Sequence, residues 1–326
     1  MWAEIVRRAK RGIYDRLCAS VFETAPIRQQ QDGVVLFSMI GTAVMTPYMV
    51  AIKSLHHHLR RGRVVIMDDG TLTRSDRAVL RQHLDDPQIL SLSHVDVGPC
   101  PRGGTWERLL TILDMAADDY VIQLDSDTVT LGPVPHVEQA IDANASFTLL
   151  GAETPVQTIL DVESFTRRFF PGGQPGQEDY HGHIQGATEA ILTELEIEGL
   201  ARPRYVRGCS GFAGFARGSD RRIATAFSQA AGARMGARWT EWGTEQITSN
   251  FVIANTPDAR ILPPSLYENY WGDAPVDDVR FLHFIGTYRW HEWQYQRRCL
   301  DAIRTLKAAR RPASALRRGQ ETARPA

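Results

Sequence analysis

Cysteine, lysine and net charge are scarce in this sequence, and each scarcity excludes a class of function. Four cysteines, Cys18, Cys100, Cys209 and Cys299, are scattered over 326 residues. No two stand as C-x-x-C, so neither a zinc knuckle nor a thioredoxin-type dithiol is expected, and a reducing, cytoplasmic setting fits best. Formal net charge is -1. That offers no global attraction to a polyanion, so nucleic acid is not an expected partner and any anionic ligand must be held locally. No apolar run approaches the roughly 18 residues that span a bilayer, and the N-terminal stretch is too broken by charge for a secretory signal.

What is present is ordinary globular composition, 43% hydrophobic and 23% charged, in a length that allows one large α/β domain or two smaller ones. Residues 1–24 read as an amphipathic basic helix, with Ile5, Ile13, Leu17 and Val21 set against Arg7, Arg8, Lys10 and Arg11. The favoured reading packs this helix on the domain with its charges in water; the other is peripheral docking on the anionic inner face of a membrane. The expected organisation is a helix over 1–30, a folded domain over 31–306, and a basic tail over 307–326. That tail, rich in Arg, Ala and Pro from Ala308 onward, is expected to be disordered.

The first half alternates short apolar runs with helical periodicity, the pattern of βαβ units on a mostly parallel sheet. Strands are expected at 33–40 (GVVLFSMI), 63–67 (RVVIM), 88–92 and 120–124 (YVIQL), with helices at 47–59, 75–84 and 106–116 between them. In open α/β sheets ligands gather at the carboxyl ends of the strands. Asp68, Asp69, Asp125 and Asp127 all fall at such ends. The second half is less regular: a polar, Gly-rich loop at 171–186, a small-residue strand at 208–216, then a helix through Ala224 and Phe227. Further on come a helix at 242–254, a short strand at 281–284 and a closing helix at 290–309.

Two carboxylates one residue apart at a strand end share a face and can both reach one hard divalent cation, Mn²⁺ or Mg²⁺, which prefers oxygen ligands and keeps positions open for phosphate. Asp-x-Asp is also a common polar turn. Three further residues lift Asp125 and Asp127 above chance. His283 can complete a metal site begun by carboxylates. In the same segment, HFIGTYRW, Gly286 allows close backbone approach to a diphosphate, and Arg289 offers a cationic fork for its oxygens.

LDSDTVT also resembles the aspartate-nucleophile signature of haloacid-dehalogenase-type phosphatases, with Asp125 as nucleophile and Asp127 as acid/base; Asp277-Asp278 imitates their acidic metal motif. That chemistry needs a downstream cation, usually lysine, and the chain has only Lys10, Lys53 and Lys307, none in the expected segment. It is the weaker reading.

Four separated segments resemble nucleotide-sugar glycosyltransferases of the GT-A architecture, most closely family 8. They are WERL with YVIQLDSDTVTLGP, Cys209-Ser210-Gly211, EQITSN at 245–250, and HFIGTYRW. The family shows an Asp-x-Asp strand, Asn-Ala-Gly, Asp-Gln-x-x-x-Asn and His-Phe-x-Gly-x-x-Lys-Pro-Trp in that order. Here Cys209 stands for Asn, Glu245 for Asp and Arg289 for Lys, and the Pro is missing. The likeness covers about residues 33–295. It implies a GT-A α/β fold with a mostly parallel central sheet flanked by helices. It also implies transfer of a sugar from a nucleoside diphosphate sugar, UDP-sugar favoured, to a glycan, lipid or small-molecule acceptor. Asp125, Asp127 and His283 would hold Mn²⁺ or Mg²⁺; Arg108, Arg289, Gly286, Ser126, Ser210 and Gly211 would line the donor, and Gly41, Thr42 and Asp68 or Asp69 the nucleoside. Gln246 would lie near the sugar in a retaining reaction on the leaving-group face, with Glu245 as nucleophile or base the competing assignment. A catalytically inactive sugar-nucleotide-binding protein is the remaining alternative.

Five tryptophans, Trp239, Trp242, Trp271, Trp290 and Trp293, are expected mostly as packing, with Trp242 and Trp271 the best candidates for stacking an acceptor. His56-His57-His58 lies on a helix, where neighbours diverge, so no metal site is expected there. His181-Gly182-His183 reads as surface loop.

Overall fold

The computed structural model describes residues 2–151, 156–172, 182–272, 278–286 and 288–309, without the side chains of residues 2–5 and 7. Most of the expected loop at 171–186, with His181, lies outside the described residues, as do Asp277 and residues 310–326 of the expected tail. So do the side chains of Ile5 and Arg7.

In chain order the elements begin with α1 (Trp2–Cys18), β1 (Val34–Ile40), α2 (Met45–Leu59), β2 (Arg63–Asp68) and α3 (Arg74–Leu84). Next come β3 (Gln88–Ser91), α4 (Trp106–Met115), β4 (Tyr120–Leu124), β5 (Thr128–Thr130), α5 (Pro135–Asp142) and β6 (Phe147–Leu150). After them lie β7 (Leu160–Asp161), α6 (Val162–Phe169), α7 (Ile184–Ala190), β8 (Arg204–Tyr205), β9 (Gly208–Phe215) and α8 (Arg221–Met235). The chain closes with α9 (Thr244–Ala254), β10 (Arg260–Ile261), β11 (Tyr267–Tyr270), β12 (Phe281–Phe284) and α10 (Gln294–Ala309).

Seven strands form the central sheet in the order β10-β6-β9-β4-β1-β2-β3. Every pair is parallel except those that β9 makes with β4 and β6. Strand β1 shows why this arrangement is stable. Val34, Leu36 and Ile40 pack into a core that includes residues of α1, α2 and α10, while Val35 and Phe37 pack into one formed with α4, α8 and α9. Alternate residues feed opposite faces, so a strand apolar at all positions but Ser38 is buried on both.

Helix α1 packs on the domain, as favoured from sequence, but on a different face. Tyr14 stacks on Tyr295 of α10 at 4.6 Å, and Tyr14, Cys18 and Val21 are fully buried, whereas Ile13 and Leu17 remain 44% exposed. The helix ends at Cys18, followed by a 3-10 turn, and α10 runs on through the first residues assigned to the tail. No helix among the described residues is long and apolar enough to cross a membrane.

Two local features set up the site. Because β9 runs antiparallel to β4, its first residues lie at the carboxyl end of β4, where Asp125 N–H donates to Gly211 O at 2.9 Å. A second sheet, β11-β12-β5, pairs His283 with Thr128, and Phe284 N–H donates to Asp127 O at 2.9 Å.

Candidate metal and donor site

The β5–β12 pairing brings a histidine from late in the chain onto the aspartate pair. Asp125, Asp127 and His283 offer ligand atoms that all lie within 4.8 Å of one another, the one such group among the described residues. His283 Nε2 lies 3.4 Å from Asp127 Oδ1 and 4.0 Å from Asp125 Oδ2. Its Nδ1 lies 2.9 Å from Asn269 Oδ1. The Asn269 amide is itself fixed, because its Nδ2 donates to Leu150 O at 2.6 Å and Gly151 O at 3.3 Å. An oxygen must therefore face the ring and Nδ1 must carry a proton, so that in the neutral ring the Nε2 lone pair is the one left for a cation. Two carboxylates and such an imidazole suit Mn²⁺ or Mg²⁺.

Arginines brace both aspartates. Arg108, buried on α4, donates to Asp125 at 2.7 Å and to Glu245 at 3.2 Å. Arg289 reaches Asp127 at 2.5 Å, with its Nε on Gly286 O at 2.8 Å. Burial disfavours charge on Asp127, yet His283 and Arg289 hold its carboxyl below the ordinary range. Burial likewise opposes charge on His283, but the Cys209 sulfur and Asp127 draw its pKa well above the usual histidine value. Burial raises the Glu245 carboxyl, with Arg108 pulling the other way.

The group lines a cavity of about 580 Å³, within the roughly 300–1,000 Å³ typical of ligand sites. Arg108, Ser210, Gly211, Glu245, Gln246, Gly286 and Arg289 line it together with the three metal candidates. Gln246 faces Ser210, whose N–H and Oγ each lie 3.3 Å from its Oε1. Thr105 Oγ1 donates to Glu245 Oε2 at 2.9 Å. A Cβ on Gly211 would collide with the His283 ring, so the small residue expected beside the donor is needed first to admit the histidine.

Gly41, Thr42, Asp68, Asp69 and Ser126 do not line this cavity. The first four form a turn-linked cluster at the ends of β1 and β2. Asp68 accepts from Gly70 N–H at 2.8 Å and from Arg77; Asp69 accepts from Thr71 N–H at 2.9 Å. Thr42 Oγ1 lies 2.6 Å from Asp76 Oδ2.

No protein-family model and no curated protein matches the sequence. Among solved structures, the WbbM bifunctional glycosyltransferase superposes with a TM-score of 0.51 at 12% identity, over 86% of this chain and 51% of that one. The chain carries a glycosyltransferase fold. It is the GT-A architecture expected from the sequence. Mouse xyloside xylosyltransferase 1 matches with a TM-score of 0.45 at 14% identity, over 77% of this chain and 97% of that one. An active-site mutant of LgtC matches at 0.46 and 12%, over 86% and 98%. The chain spans about half the length of WbbM.

Within this glycosyltransferase fold, no lysine lines the cavity. Lys10 donates to Trp290 O, Lys307 to Glu23, and Lys53 is buried against Thr24 and His83, its pKa lowered by burial to about 8. The lysine that a haloacid-dehalogenase phosphatase usually needs is thus missing from the cavity lining among the described residues. Trp239 is buried, whereas Trp242 is 73% exposed and lines the cavity, as does Trp271. The expected helix at 242–254 starts only at Thr244, because Gly243 takes the left-handed conformation, φ 111°, and turns Trp242 outward. Sequence reasoning missed Asn269, Gln185, Glu189 and Arg207. A buried polar residue inside the aromatic run Tyr267–Tyr270 was the available signal for the first, since such a group needs a partner.

Proposed function

We propose that the protein transfers a glycosyl group from a nucleoside diphosphate sugar, UDP-sugar favoured, to a glycan, lipid or small-molecule acceptor. The observation that carries this reading is the Asp125, Asp127 and His283 group, set at the carboxyl edge of a glycosyltransferase sheet with Arg108 and Arg289 beside it. Those three residues would hold Mn²⁺ or Mg²⁺. Bound there, the cation supplies Lewis-acid neutralisation of the departing diphosphate. Arg289 and Arg108 add fixed positive charge on the same side, and Gly286, at φ 48°, lets the backbone approach the phosphates.

The reaction is proposed to retain configuration. Among the described residues, the carboxylates lining the cavity are Asp125, Asp127 and Glu245. Glu245 is buried and held by Arg108 and Thr105, which supports a positioning role over that of nucleophile or base. Gln246, a neutral amide, is a poor nucleophile and is read as a group beside the donor sugar. Reaction on the leaving-group face follows.

The test is thermal unfolding with Mn²⁺ and a panel of UDP and GDP species, followed by assay of nucleotide release from the sugar donors. A nucleotide at 100 times its Kd adds about 2.7 kcal/mol, which moves the midpoint by a few degrees in a chain of this size. Metal-dependent stabilisation that vanishes in Asp127→Ala is expected. No shift with any nucleotide overturns the reading, and binding without turnover points to an inactive donor-binding protein.

A second proposal concerns location: cytoplasmic, at the inner face of a membrane. It is favoured by the exposure of Ile13 and Leu17 on α1, with exposed Arg16 three residues after Ile13 on the neighbouring row, a surface suited to anionic lipid. Flotation with vesicles tests it.

A further inference from the structure

The cavity contains a cation that the donor chemistry does not use. Arg207 stands immediately before β9 and lines the cavity. Its Nε lies 3.2 Å from Oε1 of Glu189, which is fully buried on α7, and its side chain is 22% exposed. The guanidinium sits over the Phe169 ring, 4.5 Å from the centroid. A fork held at one nitrogen and stacked on one face is fixed in place while its terminal donors stay available; these have no partner among the described residues.

Glu189 does not cancel that charge cleanly. Its Oε1 also accepts from Gln185 Nε2 and Tyr205 Oη, each at 3.1 Å, and burial raises its pKa, against the pull of Arg207. Gln185 continues the chain, since its Oε1 accepts from Gln246 Nε2 at 3.2 Å. An ion pair from Arg207 to Glu189 and hydrogen bonds from Glu189 through Gln185 therefore link Arg207 to Gln246, the residue read as lying beside the donor sugar. Trp242 stands at the mouth of the same cavity, with the His183 ring 6.1 Å from its own. Trp242 is 73% exposed at the cleft, and its face offers an apolar platform to a sugar ring.

We propose that the part of the cavity bounded by Arg207 and Trp242 is the acceptor subsite, and that it takes a saccharide carrying a carboxylate or phosphate, with Arg207 pairing the anion and Trp242 stacking on the ring. The word acceptor rests on the glycosyl-transfer reading; selection of an anionic saccharide rests on Arg207.

The experiment titrates the full chain, in the presence of UDP and Mn²⁺, with methyl glucuronide, methyl glucoside 6-phosphate and methyl glucoside, followed by ligand-observed NMR. A charge-assisted hydrogen bond predicts about tenfold tighter binding of an anionic glycoside than of the neutral one. Which anionic glycoside gains more identifies the group. Arg207→Gln is expected to erase the preference and Arg207→Lys to keep part of it, while Trp242→Ala weakens all three alike. Equal binding of charged and neutral glycosides, binding of none, competition with UDP, or a preference that survives Arg207→Gln would each overturn the proposal. The wild-type comparison stands even if Arg207→Gln does not fold. Absence of UDP binding alone, with the anionic preference intact, counts against the donor reading and leaves the subsite in place.

Discussion

Asn269 Oδ1 lies 2.9 Å from Nδ1 of His283, and this one contact decides which ring nitrogen can meet a cation. Second-shell partners of this kind are worth about 10–100-fold in metal affinity. Asn269→Leu, similar in volume but without the acceptor, is expected to weaken Mn²⁺ binding by that factor. Calorimetric titration of Mn²⁺ in the presence of UDP measures it; unchanged affinity would show that the amide has no part in orienting the ring.

That contact was out of reach of the sequence, because it depends on register. Asn269 meets His283 because β11 and β12 pair in parallel with those residues opposite, and nothing in either short segment announces its partner. Asp125 and Asp127 were legible because they end a strand buried throughout. The five-residue run and the polar break after it are local signals. The same contrast runs through the fold. Strands β1 to β4 and their helices follow from apolar runs in consecutive βα units, whereas β5, β6, β10 and β11 are short and acquire their meaning only from distant partners. Gln185 shows the converse failure: the Gly-rich, polar stretch 171–186 reads as loop, yet its last residues open helix α7, which becomes stable only by burying Ile184 and Ala187 against the core.

Gly211→Ala tests the close approach of β9 to the histidine. The added Cβ would collide with the His283 ring, and overpacking of this kind costs about 1–3 kcal/mol. The expected result is lower stability in urea unfolding and loss of metal-dependent UDP binding. Gly132→Ala, whose Cβ would meet the Arg280 side chain at 3.7 Å, is the ordinary-contact control. Equal behaviour of the two variants would refute the steric argument.

Arg108 links Asp125 to Glu245 across the cavity floor. Arg108→Leu leaves the buried Glu245 carboxyl without its cation, a loss of about 3–5 kcal/mol for a buried pair broken on one side. Arg108→Leu combined with Glu245→Leu is expected to recover much of this, because the buried carboxylate is gone and Asp125, the other partner of Arg108, is partly exposed to water. A double-mutant cycle by chemical unfolding reads the coupling; additive effects would mean that the two groups are energetically independent.

The Glu189 carboxyl gives stability a pH dependence of known sign. Burial raises its pKa above the ordinary 4.5. Its contribution is therefore complete below that value and is lost as pH rises through the folded pKa, because the unfolded chain ionises first. Across pH 4 to 8, the stability of the wild type relative to Glu189→Gln is expected to fall as pH rises. A difference that grows with pH would mean that Arg207 outweighs burial.

Helix α1 meets the domain through Tyr14 and Cys18 and turns Ile13 and Leu17 to solvent, spaced four residues apart so that they share one outward row. Arg16, three residues after Ile13, is exposed next to that row. Each basic residue near an anionic surface adds about 1 kcal/mol of attraction, and burial of the two apolar side chains adds to it. Flotation with phosphatidylglycerol vesicles should therefore recover the protein, and phosphatidylcholine vesicles should not. Ile13→Glu with Leu17→Glu should abolish recovery without lowering the unfolding temperature, since neither side chain belongs to the core. Equal flotation with both lipids, or retention by the double variant, would instead leave these residues as ordinary exposed apolar surface on a helix whose binding work is done at Tyr14.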